Sequence, residues 1–271
     1  MAKQATKSVR TYYNEHVKEE DARLTSHPFE LWVTLHFVDK YLDPGSKLFD
    51  VACGTGRIAQ QLLQGGFVLG LNDLSEKNIE LVTKRLQGNR NVLFIKNDDA
   101  LKADGWERMQ WDGILLLGPL YHMISKENRV KVLNLACQNV KPGGYVFSSF
   151  MTRTGAMVYG VKNNPQGIRY QEGAEMLWET GTDERFVEGT EWFVNAYFSH
   201  PEEINPQIEK AGLEPLHLAG VEGIFGERIE LYHQLEENLK KPWREFIIRH
   251  CEDIHMINQS KHLLSVARKP K

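Results

Sequence analysis

The stretch Leu48-Phe49-Asp50-Val51-Ala52-Cys53-Gly54-Thr55-Gly56-Arg57 decides the reading of this chain. A short apolar run ends in an acid, a turn carrying two glycines follows, and Ile58 to Leu63 continues with helical character. Glycine is needed where a Cβ would strike a ligand or where φ must be positive, so this strand–loop–helix device lets backbone approach a nucleotide closely. Cys53 reads as a small buried member of the loop rather than a nucleophile.

Working outward, strands and helices alternate. Upstream lie a polar helix, roughly Lys7 to Glu20, and a second, roughly Pro28 to Leu42, with Leu31, Leu35, Val38 and Leu42 at helical spacing. Pro28 suits the first turn of the second helix, and Asp43-Pro44-Gly45 stops it. Strand one is Lys47 to Ala52, strand two Phe67 to Leu71 and strand three Asn91 to Lys96. Strand four, Asp112 to Leu117, is a continuous apolar run, as in a strand buried on both faces of a parallel sheet. Ser75 and Ser125 stand where helix N-caps belong, before Ile79, Val82 and Leu86 and before Val130, Leu133, Cys137 and Val140. Lys141-Pro142-Gly143-Gly144 is a turn into strand five, Tyr145 to Met151. The pattern predicts a Rossmann-like, doubly wound α/β fold: a seven-stranded, mostly parallel sheet with helices on both faces.

The rhythm breaks after residue 151. We expect one domain with its core at about 45–151, 191–222 and 260–271, and insertions at about 152–190 and 224–258 lying over a substrate site. Glu191 to Ser199 reads as a strand, Pro201 to Ala211 as a helix, Leu213 to Val221 as a strand, Arg228 to Cys251 as a helical pair broken at Pro242, and His262 to Arg268 as the last strand. The insertions carry Tyr159, Tyr170, Trp178, Phe186, Trp192, Tyr232 and Trp243, which suit either a lid over a flat or apolar molecule or a small core of their own. Arg153, Arg169 and Arg185 offer charges to an acidic substrate or to solvent.

Composition narrows the class. The 271 residues are 41% hydrophobic and 25% charged, with net charge −3, so nothing marks a nucleic-acid partner. No signal-peptide pattern opens the chain, and Ile114 to Leu120 is too short to span a bilayer. Cys53, Cys137 and Cys251 are scattered, which suggests no disulfide framework, and the ten histidines show no zinc-type spacing. We expect a cytoplasmic monomer or homodimer without metal or membrane partner.

Two cofactor readings compete at the glycine loop. Gly54-x-Gly56-x-x-Ala59, with Asp73 further on, satisfies the dinucleotide fingerprint. Asp50-x-Ala52-x-Gly54-x-Gly56 resembles the first motif of class I S-adenosylmethionine (SAM) methyltransferases, with Ala52 in place of a glycine. Three further segments extend that resemblance: Asp73-Leu74-Ser75 after strand two, Asp99-Ala100 after strand three and Val140-Lys-Pro-Gly-Gly before strand five. Leu117-Gly118-Pro119-Leu120-Tyr121-His122 looks like a subgroup acting on small molecules. A nicotinamide enzyme leaves Asp50, Asp99 and Lys-Pro-Gly-Gly without roles.

The resemblance, from roughly Phe49 to Phe150, implies a role for each matching position. Asp50 would face the methionine ammonium of SAM; Ala52, Gly54, Thr55 and Gly56 would pass close to the methionine moiety. Asp73, or Asn72 beside it, would hold the ribose, and Leu74 would pack on the adenine. Asp99 would take the adenine amino group, with the Ala100 N–H nearby, and Leu117 and Gly118 would lie along the cofactor. Tyr13, or its neighbour Tyr12, would close over it. His122 is the candidate base, by nature titrating near neutral pH, or else only a contact; Tyr121 would orient the acceptor or simply pack. The product would be S-adenosylhomocysteine (SAH) and the partner a small-molecule substrate. An RNA or protein methyltransferase and a non-catalytic SAM-binding protein remain as alternatives, with an NAD(P)-dependent oxidoreductase last.

Overall fold

Leu48 and Phe49 are adjacent in sequence and lie in opposite cores, because successive side chains of a strand point to opposite faces. They belong to β1 (Lys47–Asp50), an interior strand of the sheet. The computed structural model describes residues 2–169, 171–182, 196–226 and 228–271. The other strands are β2 (Val68–Asp73), β3 (Val92–Asn97), β4 (Trp111–Leu116), β5 (Val140–Thr152), β6 (Phe198–Ser199), β7 (Glu214–Gly220) and β8 (His262–Arg268). Their order is β3-β2-β1-β4-β5-β8-β7. β8 runs antiparallel to both β5 and β7, and the remaining pairs are parallel. The expected seven-stranded sheet is therefore present, with the two-residue β6 added beside Met151 and Thr152 of β5.

One face is covered by α3 (Phe29–Tyr41), α4 (Arg57–Gln64) and α5 (Glu76–Arg85), the other by α6 (Lys126–Asn139) and α9 (Ile204–Lys210). Ser75 caps α5 by accepting the Asn78 N–H at 3.1 Å, and Ser125 caps α6 by accepting that of Asn128 at 3.3 Å. The Lys-Pro-Gly-Gly turn is absorbed into β5 as an irregularity: pairing with β4 skips from Val140 to Tyr145, with Gly143 at φ 79°.

Several expectations are corrected. The N-terminus forms three helices, α1 (Ala2–Glu15), α2 (Val17–Ser26) and α3, with the break at His16, whose ring N–H donates to the Tyr12 carbonyl at 2.9 Å. In α3 the buried face is Phe29, Val33, Phe37, Thr34 and Val38; the two phenylalanines claim the core, and Leu31 and Leu35 are only partly buried. The first insertion holds α7 (Arg153–Asn163), a 3-10 turn and α8 (Gln171–Thr180). In the second, α10 (Ile229–His233) and α11 (Glu237–His250) separate before Glu237, and α12 (Ile254–Gln259) follows. Pro242 stays inside α11, where Asn238, one turn before it and deprived of its backbone donor, is an exposed residue. Tyr170, Arg185, Phe186, Trp192 and most of the expected strand from Glu191 lie outside the described residues. Among the described residues, no helix is long and apolar enough to cross a membrane.

Candidate active site

A cleft of about 390 Å³ opens beyond the carboxyl ends of β1, β2 and β4, where ligands bind in open α/β sheets. At its floor the glycine loop leaves β1. Gly54 has φ 54°, and a Cβ there would meet nothing within 4 Å, because that direction is open space. Gly56 has φ 80°, and a Cβ there would be driven into the Val82 side chain. Gly56 therefore lets α4 pack on α5 and is not among the residues that line the cleft.

The loop is held by Asp73. Its Oδ2 accepts the Gly54 N–H at 2.8 Å, and its Oδ1 accepts the Ser75 N–H at 2.8 Å and the Asn78 amide at 3.1 Å. A carboxylate has about four acceptor positions, so one remains. Burial raises the Asp73 pKa against these donors. Neighbouring Asn72 donates to the Val51 and Asp98 carbonyls and accepts the Asp98 N–H, so its side chain is committed to backbone.

Asp50 is the exceptional group. It is 2% exposed, and its Oδ1 has no hydrogen-bond partner among the described residues. Burial pushes its pKa up to about 7, the nearby Asp73 adds to this, and the Ala52 N–H opposes it. An unsatisfied buried carboxylate oxygen is costly, and its placement at a ligand cleft calls for a cationic partner. Cys53 beside it has its thiol pKa driven upward by burial and by both acids, which suits a packing role.

Asp99 accepts the Leu101 N–H at 2.9 Å through Oδ1 and lines the cleft with Leu74 and Ala100. Leu117, Gly118 and Tyr121 line the wall after β4. From α1, the Tyr13 hydroxyl lies 2.8 Å from His122 Nε2, the rings edge to face. Burial raises the pKa of both Tyr13 and Tyr121, so both phenols stay protonated. Tyr12 stacks on His16 and is not part of the lining. The cleft thus gathers Tyr13, Asp50, Ala52, Gly54, Thr55, Asp73, Leu74, Asp99, Ala100, Leu117, Gly118, Tyr121 and His122.

Among the described residues, none of the lining comes from 152–182 or 224–258. Tyr232 and Trp243 pack around Phe225, Trp178 packs on His200, and Arg153 pairs with Glu203. The roof comes instead from the N-terminal helices. Asn14 of α1 accepts from the Ser75 hydroxyl at 2.7 Å and donates to Glu76 at 2.8 Å. Asp21 of α2 receives Arg57 at 2.9 and 2.7 Å and Arg85 at 2.9 and 3.0 Å, and Arg85 also donates to the Thr55 carbonyl. Burial alone would raise the Asp21 pKa, yet these donors hold it at about 2.

The roof also contributes groups that the sequence did not single out. Arg23 donates from Nε to Glu20 at 2.9 Å and from NH1 to Glu30 at 2.8 Å, and all three line the cleft. Burial works to raise the Glu30 pKa, but Arg23 and His262 bring it to about 2. Behind Glu30, His262 Nδ1 donates to Glu222 at 2.6 Å, and Glu222 accepts the backbone N–H groups of Lys261 and His262. Glu30, Glu222 and His262 bring ligand-type atoms together, but protein partners already engage them. Glu20 and Arg23 stand at i, i+3 on α2, and the fold turns both toward the cleft.

Known proteins can be set beside this geometry. Residues 48–144 match the family model described as a methyltransferase domain. Over 178 residues the chain is 28% identical to the ubiquinone biosynthesis O-methyltransferase of Azoarcus sp. (strain BH72), covering 65% of this chain and 68% of that protein. It is 27% identical over 170 residues to YqeM of Bacillus subtilis (strain 168), itself assigned only as a candidate methyltransferase, covering 60% of this chain and 66% of that protein. Among solved structures it superposes on the N-methyltransferase NodS from Bradyrhizobium japonicum WM9, in complex with SAH, with a TM-score of 0.58 at 12% identity, covering 96% and 99% of the two chains. The chain spans 45% to 68% of the length of the curated relatives it matches.

Proposed function

We propose, from the premise that this chain belongs to the class I SAM-dependent methyltransferases, that it methylates a small-molecule acceptor held in the cleft beneath α1 and α2. The observation that carries the reading is the buried Asp50 carboxyl, whose Oδ1 has no hydrogen-bond partner among the described residues, in the lining of the same cleft as the open side of Gly54. The oxygen fits the ammonium of the methionine moiety, and the open glycine leaves the room that moiety needs. The same carboxylate opposes a dinucleotide, whose pyrophosphate would bring negative charge onto this loop.

SAM supplies a methyl group already activated on a sulfonium. The protein's own task is orientation and exclusion of water. Asp73, with its remaining acceptor position, holds a ribose hydroxyl; Asp99 accepts from the adenine amino group, and Leu74 packs on the ring. Tyr13 and the roof helices shut out water. His122 takes up at Nε2 the proton that an oxygen or nitrogen acceptor sheds, relayed by the Tyr13 hydroxyl, which passes its own proton to Nε2 as it receives the acceptor's. The net charge of −3 favours a small acceptor over RNA, and the relatives with small-molecule names support the same choice.

Calorimetric titration with SAM and SAH, with NADH as control, tests the reading. We expect both adenosyl ligands to bind and NADH not to bind. Binding of NADH alone would overturn the assignment from Asp50 onward.

A further inference from the structure

Beyond the cofactor contacts, the cleft contains a charged chamber. Glu20, Arg23 and Glu30 line it together with Tyr13 and Tyr121. Each carboxylate gives one oxygen to Arg23: Oε2 of Glu20 and Oε1 of Glu30. The second oxygens, Glu20 Oε1 and Glu30 Oε2, accept no hydrogen bond among the described residues, and neither is a fully buried atom, in two side chains that line the cleft. Within the lining, two carboxylates on one guanidinium leave an excess negative charge, and Lys261, outside the lining, offsets part of it from behind Glu30. Behind them, His262 Nδ1 lies 2.6 Å from Glu222 and 3.5 Å from Glu30, so Glu222 is its nearer partner.

We infer that the acceptor carries a basic nitrogen and enters as a cation, held between the open oxygens of Glu20 and Glu30 and the rings of Tyr13 and Tyr121. The inference rests on the methyltransferase reading and adds its substrate class. Open carboxylate oxygens paired with aromatic faces in a partly dry cleft are the combination that recognises an ammonium: the acids accept its N–H groups, and the ring faces attract its charge. An anionic acceptor would meet Arg23, but only at a guanidinium already matched by two acids. A neutral phenol would leave the excess charge uncompensated in a low-dielectric site. Glu20 and Glu30 are thus specificity-determining residues, distinct from the adenosyl contacts along β1, β2 and β3.

The test uses the full chain saturated with SAH and three probes of matched shape: tyramine (cationic), 4-ethylphenol (neutral) and 4-hydroxyphenylacetate (anionic). Calorimetry is expected to show tyramine binding at least about tenfold tighter than either of the others. In E20Q that advantage is expected to fall to about threefold or less, with SAH binding by the variant reporting that it is folded. Equal affinities, preference for the acid, no binding of tyramine, or a preference that survives E20Q would each overturn the inference. Failure of the parent protein to bind SAH is a different result: it removes the methyltransferase reading, and the substrate class with it.

Discussion

Asp50→Asn should uncouple cofactor binding from pH. In the unliganded protein, burial holds the Asp50 pKa at about 7. Binding a methionine ammonium requires the carboxylate form, so apparent affinity scales with the ionised fraction: about nine-tenths at pH 8 and about 3% at pH 5.5. Affinity for SAM should therefore fall about tenfold for each pH unit below 7. The alkaline limb is set separately, by the ligand's own amine with an ordinary pKa of about 7.7–8.0. Replacing the charged partner removes a charge-assisted interaction worth about 2–3 kcal/mol, so D50N should bind about 30- to 150-fold more weakly near pH 7.5. At pH 5.5 the parent is itself about 30-fold weakened, and the two proteins should converge to within a few-fold. Stability moves the other way. The folded pKa lies above the ordinary 3.8, so the folded state holds the proton more tightly, and unliganded stability is lost as pH rises from about 4 to 7. The cost has an upper figure of about 4 kcal/mol. D50N escapes it and should melt higher than the parent at pH 8, at about 2–4 °C per kcal/mol. The assay is titration calorimetry from pH 5.5 to 8.5 with thermal melts alongside. A flat acid limb in the parent, or the same limb in D50N, would refute the reasoning.

Two other substitutions separate packing from binding. Gly56→Ala combines a positive φ, costing about 1–2 kcal/mol, with a clash on Val82 costing about 1–3 kcal/mol, so urea unfolding should show a loss of about 2–5 kcal/mol; a loss under about 0.5 kcal/mol would contradict the packing described. Asp73→Ala strips the acceptor from the Gly54 and Ser75 N–H groups and the Asn78 amide, so both the unfolding midpoint and SAH affinity should drop, and parent-like values for both would remove Asp73 from the loop's support.

What the sequence disclosed was what local chemistry dictates. The glycine loop needs its residue types at fixed spacing, Ser75 and Ser125 announce helix starts, and the closing strand His262–Arg268 is bounded as read because an apolar run between polar flanks leaves little freedom. What stayed hidden depends on which side of a helix the tertiary structure selects. Leu31 and Leu35 have the spacing of a core face, but Phe29, Val33 and Phe37 bury more area and win it. Glu20, Asp21 and Arg23 resemble any solvated helix until Arg57 and Arg85 fix how α2 lies. Gly56 sits inside a binding motif, yet its neighbour is Val82, a contact no spacing reveals.

The Asp21 contact also bears on how the protein can be divided. The segment recognisable by family, residues 48–144, begins after α2 and ends inside β5. Cut there, Arg57 and Arg85 would keep their charges and lose the carboxylate that gathers them, on the loop that must stay ordered for ligand to bind. The portion matched by the family model is therefore smaller than the portion joined by these contacts. A truncation drawn at the family's edges would yield a fragment bearing every glycine and acid of the motif, but with its loop unanchored and its cleft unroofed.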